Sequence, residues 1–281
     1  MSVKITADST CDLSPELIEK LGIDILPLTI VMNDKGHLDG KEITPLDIFK
    51  NVDAGGALPT TSAVSVAEYQ AAFSSLRERY DEVVHINIGS GFSACYQNAC
   101  LAAQEMTGVY AVDSQNLSSG QGHVVLAAAQ AAMDGKTAPE IVDLLEDLIP
   151  RVEASFIIDR LDYMVKGGRC SAVAMLGANL LQLKPCIEVK NGAMGVVKKY
   201  RGSFEKCLRS YVKERLEGRE DILSQRIFIT HPACPDSDVT LVREEIGKYR
   251  AFEEVTETHA GCTVSCHCGP RTLGVLFIRS K

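Results

Sequence analysis

The chain has 281 residues, 46% of them apolar and 23% charged, which supports a large buried core and excludes a disordered or fibrous reading. Its 29 Lys and Arg are outweighed by 37 Asp and Glu, a net charge of −8, and no Lys/Arg-rich run marks a nucleic-acid binder. No apolar stretch reaches the roughly 18 residues of a bilayer span, and Met1–Ile5 enters a strand-like segment without a signal-peptide core, so the expectation is a cytoplasmic protein without stable membrane insertion.

In chain order, Val3–Ala7 reads as a strand and Asp8–Asp12 as a loop. Ser14 and Pro15 supply an N-cap and a first-turn proline for a helix to Leu21. Ile23–Met32 reads as one strand turning at Asn33-Asp34-Lys35-Gly36 into a hairpin. Thr44-Pro45 opens a short helix, and Ser65 caps another that runs to Tyr80. Glu82–Ile88 is a strand, followed after Gly89–Gly91 by a helix to Met106. Val109–Val112 and Ser118–Met133 are the next strand and helix. This alternation predicts a largely parallel sheet with helices on both faces.

Beyond a helix over Pro139–Ile149 the pattern changes. Strands are expected at Ala154–Ile158, Cys186–Val189 and Gly195–Tyr200, the last two joined by an Asn191-Gly192 hairpin. Ser203–Leu216 and Asp236–Arg250 read as helices, and Arg226–Thr230, Val255–His259 and Thr272–Ile278 as strands. The expected architecture is therefore α/β with two domains. Residues 1–152 form an α/β unit, and residues 153–281 an α+β unit with a mixed or antiparallel sheet.

Ten cysteines are many for this length. Cys262, Cys266, His267 and Cys268 cluster, but they lack a second C-x-x-C pair and the spacing of a zinc knuckle, so reduced, metal-free thiols are expected.

Chemistry points first to Gly89-Ser90-Gly91-Phe92-Ser93-Ala94, between a strand and a helix. Its G-x-G-x-x-A spacing, with Asp113 placed 22 residues after Gly91, fits a dinucleotide site and an NAD-dependent oxidoreductase. Gly91-Phe92-Ser93-Ala94-Cys95 also resembles a nucleophile elbow, and the plainest reading is a tight strand–helix turn. The functional versions share one physical basis: a helix N-terminus with unpaired amides attracts a phosphate or a carboxylate. The second candidate is Thr60-Thr61-Ser62-Ala63-Val64-Ser65, where Ser65 suffices as a cap and leaves Thr61 and Ser62 free. Asp8-Ser9-Thr10 and Ser118–Gly122 are similar hydroxyl-rich strand ends. In an open α/β sheet such loops converge at one edge.

Together these segments resemble the DegV family of bacterial fatty-acid-binding proteins. The opening Ile5–Leu13, then Pro59–Ser65, Ser90–Gln97 and Asp113-Ser114 match its motifs in order. Leu161-Asp162-Tyr163-Met164-Val165-Lys166-Gly167-Gly168-Arg169 is the most specific match, and His267-Cys268-Gly269-Pro270 with Leu273-Gly274 is similar to the C-terminal signature. The resemblance implies an acyl chain held between two α/β domains, with no cofactor besides the bound long-chain fatty acid. It also implies no catalysis by the chain alone: the fatty acid is presented to a separate ATP-dependent fatty acid kinase that makes an acyl phosphate. Thr61, Ser62, Ser93 and Ala94 would then hold the carboxylate, while Arg169, Arg201 and His267, in loop or strand-end contexts, would serve phosphoryl transfer and the kinase contact. Ala7, Cys11, Ala94 and Cys95 stand where Thr, Ser, Gly and Thr are commoner, and Arg271 where glycine is usual.

Overall fold

The protein was analysed as a computed structural model that describes residues 2–174 and 183–280. Strands β1 (Val3–Asp8), β2 (Asp24–Leu26), β6 (Glu82–Asn87) and β7 (Val109–Asp113) form a parallel sheet in the order β2-β1-β6-β7. Every residue of β6 is buried, the signature of a parallel strand covered on both faces. Helices α3 (Val66–Arg77) and α4 (Cys95–Ala103) pack together against it, as do α5 (Ser119–Met133) and α6 (Ala138–Leu148). At the end of β1 the buried Asp8 carboxylate accepts hydrogen bonds from Tyr69 (2.7 Å), His85 (3.1 Å), Asn87 (3.2 Å) and the Ile88 amide (2.9 Å). With both oxygens paired, the buried charge ties β1, β6 and α3 together at the carboxyl edge of the sheet.

The expected single strand Ile23–Met32 is two strands, because Pro27 has no amide to give a ladder. Its first part is β2. Its second part, β3 (Thr29–Met32), pairs with β4 (Lys35–Leu38) and with β5 (Thr60–Ser62), a strand inside the segment expected as a loop. Helix α2 (Pro45–Asp53), opened by a Thr44–Asp47 capping box, packs beside this small antiparallel sheet.

The second large sheet contains β8 (Val152–Ile158), β9 (Leu183–Lys190), β10 (Ala193–Arg201), β11 (Ile222–His231), β12 (Glu254–His259) and β13 (Thr272–Arg279). Its order is β10-β9-β8-β13-β11-β12, antiparallel except for β11–β12. Asn191 and Gly192, at φ of 51° and 71°, make the hairpin turn expected between β9 and β10. Helices α9 (Phe204–Leu216) and α10 (Asp236–Tyr249) pack together over one separate core.

Helix α5 touches β1 and β6 of the first sheet and β8 and β13 of the second. Residues Ser119–Leu126 are all buried, so its polar groups need partners. Ser119 bonds Thr258 (2.7 Å), Gln121 bonds the Ile86 carbonyl (3.0 Å), and His123 Nε2 bonds the Leu276 carbonyl (3.1 Å). Among the described residues, three helices lie outside the sequence expectations: α7 (Asp162–Gly167), α8 (Ser171–Ala174) and α11 (Cys262–Cys268). No described helix is long and apolar enough to cross a membrane.

Candidate functional site

A cavity of about 210 Å³ opens between the carboxyl edge of the first sheet and helix α11. Ile88, Leu117, Met164, Met194 and Val264 give it apolar walls, and its polar lining includes Ser93 and, next to one another, Thr61, His267 and Arg169. A smaller cavity of about 30 Å³ shares Leu117, Val264 and Cys268 with the first and runs on past Phe156 and Leu276.

The first rim is the start of α4. Ser93 Oγ accepts from the Cys95 amide (3.3 Å) and donates to Cys95 Sγ (3.2 Å), leaving other first-turn amides of α4 unpaired within the helix. Ala94 lines the cavity beside it. Asp113, the acid a dinucleotide site would need free for a ribose, is used by the loop itself. It accepts from the Ser90 amide (3.0 Å), the Ser90 hydroxyl (2.5 Å) and the Gln115 amide (2.9 Å). A Cβ on Gly91 would lie 2.2 Å from the Gly192 carbonyl oxygen, so the close approach that Gly91 allows serves the β9–β10 hairpin. Both observations replace the oxidoreductase reading.

The opposite rim is helix α11. Gly261 at its N-cap and Gly269 after it, at φ of 75°, bound a seven-residue helix. Its N-terminus is paired with two carboxylates from the first half of the chain. Asp39 accepts from the Cys262 amide (2.8 Å), the Thr263 amide (3.2 Å) and the Thr263 hydroxyl (2.6 Å). Asp12 accepts from the Gly261 amide (2.8 Å) and from Ser118. Negative charge at a helix start complements the aligned peptide dipoles. Burial nevertheless pushes the Asp12 carboxyl up to about 8, against the pull of its bonds to Ser118 and Gly261.

The pinned helix carries His267, whose Nε2 stands 3.0 Å from Thr61 Oγ1, while its buried Nδ1 has no hydrogen-bond partner. Burial, and then the neighbouring Arg169 charge, hold this imidazole down at about 4, so it is neutral at pH 7. Arg169 donates to the Gly167 carbonyl (2.9 Å) and pairs with no carboxylate among the described residues, so its charge is available to a ligand.

Two of the sequence candidates, Ser62 and Arg201, lie away from the cavity. Ser62 follows Thr61 on β5, faces the other way and is exposed. Arg201 is exposed at the end of β10 and does not line the cavity. His267 sits on a helix, not in the expected loop. Arg271 takes a positive φ of 57°, where the commoner glycine would be unstrained, and is held by Asp238 (2.9 Å) and Glu205 (2.9 Å). Thr263, Val264, Met164 and Met194 line the site but were not read from the sequence. The available signal was local: Gly261 and Gly269-Pro270 bracket a helix-length segment.

Cys262 and Cys266 of α11 are buried in an apolar cluster with Ile48 and Tyr163, and burial pushes the Cys266 and Cys268 thiols up to about 12. Among the described residues one trio, His231, Glu257 and His259, approaches metal-ligand spacing. His231 Nδ1 accepts the Cys234 amide (3.1 Å), which puts the ring proton on Nε2, the nitrogen facing Glu257 (3.1 Å). That tautomer favours a hydrogen bond over a metal.

Compared with known proteins, residues 2–280 match a family model described as an uncharacterised protein of the DegV family. A DegV domain-containing protein of Clostridium acetobutylicum is 32% identical over 281 residues, covering 98% of each chain. The chain belongs to the DegV family. Another relative, named a fatty acid-binding protein of Thermotoga maritima, is 29% identical, covering 98% of this chain and 96% of its own. Among solved structures, a DegV family protein from Thermus thermophilus described for its fatty acid binding superposes with a TM-score of 0.89 at 32% identity. The match covers 99% of this chain and all 100% of the other. DegV from Bacillus subtilis, described as a fatty acid binding protein, gives 0.82 at 26% identity with 99% of each chain covered. The DegV fold therefore accounts for the parallel four-stranded and mixed six-stranded sheets.

Proposed function

We propose that this DegV protein binds a long-chain fatty acid in the cavity, carboxylate toward Arg169, Ser93 and the Thr61–His267 pair, and presents it to a separate ATP-dependent fatty acid kinase in the cytoplasm. The observation that carries this reading is the lining of the cavity: apolar walls, together with the Ser93 and Thr61 hydroxyls and a guanidinium, Arg169, that pairs with no carboxylate among the described residues. The fatty acid binding described for its relatives points the same way.

Burying the tail supplies about 0.8 kcal/mol per methylene, so the polar end need only orient the head. The smaller cavity is about the volume of one water, so a long tail enters it by displacing Leu117 and Val264. A carboxylate is already deprotonated at pH 7 and needs no base. Its oxygen attacks the γ-phosphorus of ATP held by the kinase, the new acyl O–P bond forms, and the bond to ADP breaks. The charge gathered on the transferring group favours a guanidinium at the mouth, the place of Arg169. Arg201, exposed on the edge strand β10, suits a contact with the kinase.

The test is mass spectrometry of lipids extracted from the purified protein, followed by an assay with a fatty acid kinase and ATP. A copurifying long-chain fatty acid near one per chain, converted to acyl phosphate only when all components are present, is expected. Protein that neither copurifies with nor takes up a fatty acid overturns the reading.

A further inference from the structure

Two glycines close α7, and they differ. Gly168 lies at φ of +67° with nothing within 4 Å of the position of a Cβ, so glycine serves the backbone there. Gly167 has helical backbone, and its need for glycine is spatial. A Cβ built on it would lie 2.5 Å from His267 Nδ1, 3.3 Å from His267 Cγ and 3.2 Å from His267 Cα. We infer that Gly167 is a positioning residue: its bare Cα is the socket for the His267 imidazole, and its carbonyl holds Arg169 at the same mouth.

Helix α11 cannot readily slide away from an added methyl, because Asp39 and Asp12 hold its first amides. The ring must turn instead, and turning breaks its 3.0 Å approach to Thr61. The 2.9 Å bond from Arg169 to the Gly167 carbonyl places the guanidinium from the other side. One small residue thereby sets an imidazole and a guanidinium relative to each other. The groups facing the ring are Thr61 on β5 and the Arg169 charge. The consequence for acyl phosphate formation rests on the fatty-acid-presenting reading above. The socket does not.

The experiment compares Gly167→Ala with Gly168→Ala in the full chain as purified, following the His267 ring by nitrogen-detected NMR across a pH titration. Gly167→Ala should shift the His267 resonances and raise its midpoint by one pH unit or more. Acyl phosphate formation should fall tenfold or more. Gly168→Ala should lower the melting temperature and leave the His267 signals in place. Should Gly167→Ala fold poorly, the double variant with His267→Ala loses the ring clashes, keeps only the 3.2 Å approach to the Cα of residue 267, and should recover most of the way to the melting temperature of His267→Ala alone. An unmoved His267 signal in Gly167→Ala, or a double variant as unstable as the sum of its parts, overturns the socket. Moved His267 signals with unchanged acyl phosphate formation keep the socket and overturn the presenting role.

Discussion

The two rims of the cavity are built in opposite ways. The α4 rim takes its side-chain bonds from the same half of the chain: Ser93 bonds the second residue after it, and Ser90 is braced by Asp113, 23 residues on at the end of the adjacent strand. The α11 rim draws on distant segments, with Asp12 and Asp39 at the helix start, Thr61 and Arg169 around His267, and Gly167 behind the ring. A short helix has little stability of its own, so α11 takes its place from these contacts. The first rim should tolerate single changes. The second should respond to each of them, and at a distance.

The sharpest way to break this contrast is Asp39→Ala. It leaves the Cys262 and Thr263 amides and the Thr263 hydroxyl buried without partners, and about 3–5 kcal/mol of stability should be lost in urea unfolding. Asp113→Ala on the other rim frees more exposed groups and should cost about 1 kcal/mol. Equal losses would remove the distinction.

Acid titration separates the rims next. His267 is held down at about 4 in the fold against 6.5 unfolded, so between those values the unfolded chain binds the extra proton. Stability therefore falls as pH drops from 6.5 toward 4, and His267 contributes about 2–3 kcal/mol of that loss. Buried His123, also at about 4, adds to it in the same direction. The loss should be smaller in His267→Gln when denaturant midpoints are compared at pH 7 and pH 4.5. Asp12 works with the opposite sign. Its carboxyl is raised to about 8, so the folded state holds the proton, and this contribution is lost as pH rises from about 4 to 8. Asp12→Asn should gain on the unaltered protein steadily across that range. Parallel stability–pH curves would show that Asp12 is ionised at the helix start.

Smaller effects test the head-group reading. Ser93→Ala combined with Thr61→Ala removes two hydroxyls and no core volume, so fatty acid retention should weaken about tenfold with little change in melting temperature. Native mass spectrometry of occupancy reads this directly, and unchanged occupancy would remove the carboxylate from this end. The smallest effect is expected for Ser62→Ala, because that hydroxyl faces away from the cavity. A loss matching that of the double variant would mean β5 presents its other face to the ligand.

Much of this protein was legible as a string of residues. Hydrophobic period and caps such as Ser14, Thr44 and Ser65 placed strands and helices, since these depend on contacts within a few residues. The Gly89–Ala94 turn between a strand and a helix stood out for the same local reason, and ordered motifs from Ile5 to Leu273-Gly274 carried the family. Tertiary structure decided which candidates meet. Thr61 and Ser62 looked alike until the pairing of β5 with β3 turned one inward and the other out. Arg201 looked as available as Arg169 until exposure at the sheet edge set it apart, and three carboxylates hold Arg271. Helix α11 has no helix signal of its own in the sequence beyond the glycines that bracket it, because its first amides are paired by Asp12 and Asp39, more than 200 residues earlier. Local signals record what the backbone does within a turn or a strand; a site built from chain-distant partners exists only once packing has brought them together.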